Sequence, residues 1–348
     1  MVSNEHPHKK WYVWIDYAKV FAIYLVVLGH QAFISYPQAT PFIWAFHIPL
    51  FFAISGFLYK PMGVLETLKH DWTRLVVPYL IINGICLVIS LIGCAVDGHI
   101  TWVEFGKRIA AILLAMGFKT SYATPVCSPS WFIAALFYIR LIMSVASQQQ
   151  WGQWFIALLC IIVTLVFGSH APDVSFPQFG YPILLSSVMA LPFFAVGEGL
   201  RYLSEHLPAI KHRSLWLLLI FILCLVEVLW GASINGRADL NLFQLGKYST
   251  LFYLNAVCGI MMIFSLSALV CQCDAFRSQC STISRGTILI LGFHFKVIEI
   301  ARRLLEHYGY TINNSIAFTM LFSAAVVLLF YPLILFCQRY FKPILGSR

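Results

Sequence analysis

Asp16, Lys19 and His30 lie in one apolar run, Asp16-Tyr-Ala-Lys19-Val-Phe-Ala-Ile-Tyr-Leu-Val-Val-Leu-Gly-His30. A Lys or Asp at the centre of a membrane helix costs roughly 2.5–3.5 kcal/mol on insertion scales, so such residues face a cavity or a partner and carry function. Lys19 and His30 stand eleven residues apart. That is close to three helical turns, which puts both on one face, roughly 16 Å apart along the axis. Such a stripe offers a fixed cation at one level and, at the other, an imidazole able to take and return a proton near neutral pH. Asp16, three residues before Lys19, is placed to hold or neutralise it.

A second imidazole occurs in the next apolar run, Phe46-His47-Ile-Pro49-Leu-Phe51-Phe52-Ala-Ile-Ser55-Gly56-Phe57. Counted by helical rise, His47 comes to nearly the depth of His30. It is either a partner in the same site or a packing residue bonded to a backbone carbonyl. Pro49 frees a carbonyl and can kink the helix, and Ser55-Gly56 lets another helix or a ligand approach. Arg74 closes the polar stretch Lys69-His70-Asp71-Trp72-Thr73-Arg74 at the mouth of the third run. It reads either as a headgroup anchor or as a contact for a phosphate-bearing molecule. Farther on are Trp131, Arg140, Glu227 and the segment Gly292-Phe-His294-Phe-Lys296-Val-Ile-Glu299. Lys296 and Glu299, three apart on one helix, neutralise one another, and His294 is expected near mid-membrane.

The elements that must position these groups follow from composition. The 348 residues are 60% hydrophobic and 11% charged, with a mean hydropathy of +0.81. A soluble domain carries about 25% charged residues, so the chain reads as an all-α, polytopic transmembrane helix bundle. Ten spans are expected near 12–35, 42–59, 75–95, 130–147, 152–168, 182–201, 214–234, 248–270, 285–304 and 314–338. Turn-like links include 36–41, Gln148-Gln149-Gln150 and the Pro- and Gly-bearing stretch 169–181. The stretch 104–118 is too short to span comfortably and is assigned as an interfacial or re-entrant helix. One integral-membrane domain, residues 1–348, is expected, with no appended soluble domain and no cleavable signal peptide.

With ten spans both termini share a side. A cytoplasmic N-terminus places thirteen Lys and Arg inside against seven outside, which favours that orientation and assigns the net charge of +9 to cytoplasmic loops rather than to nucleic acid. Of the ten cysteines, Cys86, Cys94, Cys160, Cys224, Cys258 and Cys337 sit in apolar runs as small hydrophobes. Cys271, Cys273 and Cys280 share a loop but lack the CxxC pairs and His partners of a zinc site, so no metal is expected. No GxSxG, P-loop, CxxCH or paired-His metal motif occurs.

Taken in order, the motifs resemble those of the acyltransferase-3 family of integral-membrane acyltransferases. Lys19-x10-His30 looks like the family's Arg-x10-His signature, with Lys in place of Arg. That keeps the charge but loses the bidentate fork. The 46–57 segment is similar to its second-helix pattern, and Arg74-Leu-Val-Val-Pro78-Tyr79 to its Arg-x3-Pro-Tyr. Ser130-Trp131-Phe132, Phe193-Phe-x-x-Gly197 and Gly292-x-His294 also fit. The branch most resembled is the one that O-acetylates surface sugars, including fucose-4-O-acetylase-like proteins. The resemblance implies acetyl-CoA as acyl donor, a glycan or lipid-linked sugar as acceptor, and a place in the inner (plasma) membrane. It implies His30 as general base with Asp16 and Lys19 beside it, and Lys19, Arg74 and Trp131 toward the donor. His47, Ser55, His294, Lys296 and Glu299 form a second tier. A different class is also compatible with intramembrane Lys, His and Glu: a proton-coupled secondary transporter with a side-chain relay.

Overall fold

The computed structural model describes residues 12–96, 102–114, 116, 118–119, 127–149, 151–167, 181–206, 208, 211–274, 276–309 and 315–346. The 169–181 link, apart from its last residue, lies outside the described residues, as do Lys9, Lys10 and Arg348. The described residues form a helix bundle: α1 (Val13–Ser35), α2 (Thr40–Trp44), α3 (His47–Phe57), α4 (Val64–Asp71), α5 (Val77–Val96), α6 (Trp102–Leu114), α7 (Trp131–Ala146) and α8 (Gly152–Phe167). It continues with α9 (Ile183–His206), α10 (Arg213–Asn235), α11 (Ser249–Val270), α12 (Arg277–Arg285), α13 (Thr287–His307) and α14 (Ile316–Tyr340). Two residues on each side, Phe118–Lys119 and Tyr181–Pro182, pair antiparallel just before α9.

Among the described residues, eight helical segments are long and apolar enough to cross a membrane. The other two expected spans are α8, which is shorter, and α13, which carries Lys296, Glu299, Arg302 and Arg303. The 13 residues of α6 are too few for a hydrocarbon core about 30 Å thick. It is pinned beside α5 by the Tyr79 hydroxyl, which donates to the Ile112 carbonyl at 3.0 Å.

Helix α1 is the central strut. Its small and branched residues Ala18, Ala22, Ile23 and Val26 are fully buried, and it touches α3, α11, α12, α13 and α14. In its apolar stretch 61% is buried inside the protein, against 17% for α10, whose Leu215, Leu223, Val226 and Trp230 point outward. Lipid tails are as apolar as leucine, so close packing rather than water exclusion joins such helices. The α3–α9 crossing uses this rule. A Cβ on Gly56 would come 1.9 Å from the Phe194 carbonyl oxygen, and one on Gly197 would come 1.9 Å from that of Ala53. The Ser55-Gly56 and Phe193-Phe-x-x-Gly197 motifs are therefore where two backbones touch.

Two prolines correct the expected spans. The second span is not one helix, for it breaks at Ala45–Phe46 between α2 and α3. Pro49 has no N–H for the Ala45 carbonyl and its ring would strike it, so the helix restarts at His47. The third segment, expected to begin at 75 after a loop, is helical from Val64 and passes through a π-helical turn at Trp72–Val76. Pro78 stands four residues after Arg74 and cannot bond its carbonyl, so the turn widens and Val77 donates to Trp72 instead. Gly346, in the left-handed region, then fits against the Arg74 carbonyl, where a Cβ would come 2.5 Å away. The loop expected to hold Cys271, Cys273 and Cys280 contains the short helix α12.

Candidate active site

His30, five residues before the end of α1, meets groups from two other elements. Its ring centre lies 5.7 Å from Trp44 on α2, and 5.1 Å and 4.3 Å from His294 and Phe295 on α13. Trp44 is fixed by its indole N–H, which donates to the Gly29 carbonyl at 3.2 Å. His47 opens α3 with its ring 5.6 Å from Trp44 and Nδ1 2.9 Å from the Ile43 carbonyl. Its bond to the backbone carbonyl is the packing contact, and the same side chain lines the pocket that holds His30. His294, from α13, is brought beside His30 of α1.

A pocket opens among these side chains. One wall is His30, His47 and Pro49, another is Ser128, Pro129, Trp131 and Phe132, and a third is Asp239, Leu240 and Asn241. Buried hydrogen bonds hold the second wall. Asn83 on α5, fully buried, donates from Nδ2 to the Tyr79 carbonyl at 2.9 Å and to Ser130 Oγ at 3.1 Å. Its Oδ1 accepts from the Cys127 backbone N–H at 3.0 Å. Ser130 Oγ donates to the Cys127 carbonyl at 2.7 Å, and Cys127 Sγ to the Gly292 carbonyl at 2.9 Å. The turn that launches Trp131 is thereby tied to α5 and to α13, two residues from His294.

The third wall is the loop between α10 and α11. Asn235 staples its ends: Nδ2 donates to the Leu245 carbonyl at 2.8 Å and Oδ1 accepts from Tyr248 N–H at 2.7 Å. Arg237 lies over the rings of Trp44 and Phe33, at 4.2 and 4.5 Å, and donates to Asp239 Oδ2 at 3.2 Å. Asp239 Oδ1 accepts from Asn241 N–H at 3.0 Å. These residues, and Trp44, were absent from the sequence-based site. The signal open to sequence reading was a short link, Asn235-Gly-Arg-Ala-Asp-Leu-Asn241, unusually polar between two apolar spans.

At the other end of α1 the charges are arranged differently from the expectation. Asp16 is buried, and its Oδ1 accepts from Ser284 Oγ of α12 at 2.6 Å rather than bonding Lys19. Lys19 makes no hydrogen bond or ion pair among the described residues, although Asp16 and Arg74 are both within its electrostatic reach. Lys19 is half-buried and Arg74 exposed on the π-helical turn, while the buried carboxylates near them, Asp16 and Asp71, are engaged by Ser284 and by Arg140 and His70. Trp131 belongs to the His30 pocket, so the expected donor set Lys19, Arg74 and Trp131 divides between the two ends. Ser55 donates to its own Phe51 carbonyl at 2.9 Å and is not in the pocket wall.

Several of the other charges among the described residues have partners apart from the His30 pocket. Arg140 Nε donates to Asp71 Oδ2 at 2.7 Å. Lys296 meets Glu299 at 3.1 Å and Arg303 meets the same carboxylate at 2.7 Å. The Asn255 amide, oriented to donate, reaches Glu227 at 2.8 Å. Such self-contained pairs do not make a continuous relay. In the α12 region, burial first and the Asp16 carboxylate second push the Cys280 thiol up, away from thiolate chemistry.

A family model described as an acyltransferase domain matches residues 12–335. No curated protein matches the chain, and no solved structure does.

Proposed function

The chain belongs to this acyltransferase-3 family of membrane acyltransferases, and from that premise we propose that it moves an acetyl group from acetyl-CoA to a sugar hydroxyl of a cell-surface or lipid-linked polysaccharide. His30 is the general base. Its position in the wall of a pocket with an aromatic side (Trp131, Phe132) and a polar side (Asp239, Asn241) supports the assignment. Aromatic faces suit the apolar faces of a sugar ring, and the polar loop suits its hydroxyls.

The acceptor hydroxyl gives its proton to a ring nitrogen of His30 as its oxygen attacks the thioester carbonyl carbon. The tetrahedral intermediate collapses, the C–S bond breaks, and the leaving CoA thiolate takes the proton back from His30. The donor's phosphates rest against Lys19, which makes no ion pair among the described residues, and Arg74, exposed on the π-helical turn. About three helical turns separate Lys19 from His30, to be bridged by the donor's extended arm. In this reading the Lys19 end faces the cytoplasm, as do both termini, and the His30 end faces outward across the inner (plasma) membrane.

His30→Ala tests the base. Purified in detergent with labelled acetyl-CoA and a glycan preparation from the host, the wild type is expected to release CoA only when acceptor is present. His30→Ala at equal protein level is expected to lose that activity. Persistent acceptor-dependent release from the variant would remove His30 from the mechanism, and uptake of a solute without CoA release would make the protein a transporter.

A further inference from the structure

A histidine that works as a base needs its second ring nitrogen held, so that the working nitrogen carries the lone pair. In many hydrolases a carboxylate does this. Among the described residues no carboxylate bonds His30; its ring is faced by His294, Phe295 and Trp44, with His47 and Arg237 within electrostatic reach. Asp239, across the pocket, is engaged by Arg237 and by the Asn241 backbone.

His294 supplies what is missing. It is fully buried, and its Nδ1 lies 3.0 Å from the Ile290 carbonyl and 2.9 Å from the Leu291 carbonyl. Two carbonyls can only accept, so Nδ1 carries the hydrogen and Nε2 carries the lone pair. That Nε2 atom is buried without a hydrogen-bond partner among the described residues. A buried acceptor left unpaired is unfavourable, and an isolated one in a packed interior invites a functional explanation. The nearest donor-bearing ring is that of His30, 5.1 Å away centre to centre. This is about the separation of two imidazoles joined edge to edge by one N–H···N bond of roughly 2.9 Å. The rings are tilted by 31°, so the bond closes by rotation of His30, whose side chain is only half-buried.

We propose that His294 is the positioning residue for His30, its Nε2 accepting the His30 N–H so that the opposite nitrogen of His30 faces the acceptor hydroxyl. This rests on the reading of His30 as general base and adds a neutral imidazole in the place usually given to a carboxylate. A neutral partner costs less to bury than a charge. It also keeps its acceptor role while His30 holds the substrate proton, because its own hydrogen stays committed to two carbonyls.

Two substitutions separate this role from packing. Gln at 294 presents its amide oxygen where Nε2 stands but offers nothing at the Nδ1 position. Asn presents its amide at the Nδ1 position, toward the carbonyls, and nothing at Nε2. With acetyl-CoA and a host glycan preparation, His294→Asn and His294→Leu are expected to lose roughly ten- to a hundredfold in kcat, with KM for acetyl-CoA unchanged. His294→Gln is expected to retain most of the activity. The reverse order, Asn active and Gln inactive, would assign His294 to anchoring its own helix and overturn the proposal. Equal activity of all three variants beside an inactive His30→Ala would also overturn it while leaving His30 as the base. An active His30→Ala would remove both.

Discussion

Replacing Asn83 with Leu removes the polar centre of the α5–α7–α13 junction while nearly conserving volume. The three shortest hydrogen bonds go, those to the Tyr79 carbonyl and Ser130 Oγ and the one from Cys127 N–H, with a longer contact from Ser130 Oγ to Oδ1 at 3.4 Å. The Tyr79 carbonyl keeps its helical bond and Ser130 Oγ still donates to the Cys127 carbonyl, so the group left orphaned is the Cys127 N–H. A buried donor without a partner costs about 1–3 kcal/mol, and the two further bonds add about 0.5–1.5 kcal/mol each. Allowing for relaxation, about 2–4 kcal/mol of local stability is lost. The loss falls on the turn before Trp131, so it appears as local opening. Cys127 is 4% exposed with its thiol on Gly292, which makes it a reporter. At about 1.4 kcal/mol per decade, maleimide labelling of Cys127 in folded, detergent-purified protein should accelerate roughly 30- to 1,000-fold. Cys337, buried in α14, is the internal reference and should not change. Per-peptide mass spectrometry reads both. Activity should fall as well, because about 1 Å of displacement in a positioning element costs up to about a hundredfold. Unchanged Cys127 labelling with unchanged acetyl transfer would show that the Asn83 junction does not hold the pocket wall.

Other expectations follow from the same geometry. Gly197→Ala sets a methyl 1.9 Å from the Ala53 carbonyl oxygen and should lower the melting temperature in detergent, at a cost of about 1–3 kcal/mol; in combination with Gly56→Ala the loss should be less than the sum, since one separation relieves both contacts. Arg140→Met leaves Asp71, 1% exposed, with only His70 Nδ1 at 2.8 Å and should destabilise by about 1–3 kcal/mol, whereas Arg140→Met with Asp71→Leu should recover most of that in thermal unfolding. Lys19→Arg should keep the KM for acetyl-CoA near wild type and Lys19→Ala should raise it with a smaller change in kcat; equal loss in both would end a charge-based role. Cys280, whose thiol is raised by burial, should alkylate more slowly than exposed Cys273 near neutral pH and keep gaining rate at pH values above the ordinary thiol range.

Much of the fold was open to a reader of the chain because lipid imposes a local rule. Backbone groups must be satisfied within each segment, so every apolar stretch of about twenty residues becomes a helix. The expected boundaries at 214–234 and 248–270 agree with α10 and α11 to within a residue at every end. Expectation and structure part where a proline acts at a distance of one turn. Pro49 was read as a kink in a continuous span, but its effect falls on Ala45. Pro78 was read as part of a motif, but its effect is the π-helical turn that carries Arg74. The site was legible in part. His30, His47 and His294 stand out by type and position and Trp131 by the family resemblance, whereas the Trp44 shelf and the Arg237–Asp239–Asn241 loop do not. Their importance depends on which helix ends converge.

The helical class and the alignment of Lys19 with His30 follow from residue order alone, since each is decided within a few turns of one segment. The apposition of His30 with His294 and the engagement of Asp16 by Ser284, 268 residues away, were decided only by tertiary structure. So were the Arg140–Asp71 pair, 69 residues apart, and the division of the expected donor set between two ends. Helices in a bilayer meet wherever small residues let backbones approach, as at Gly56 and Gly197, and crossing angles then determine which side chains face one another. Periodicity within a segment gives the face a residue occupies; packing between segments gives that face its partner.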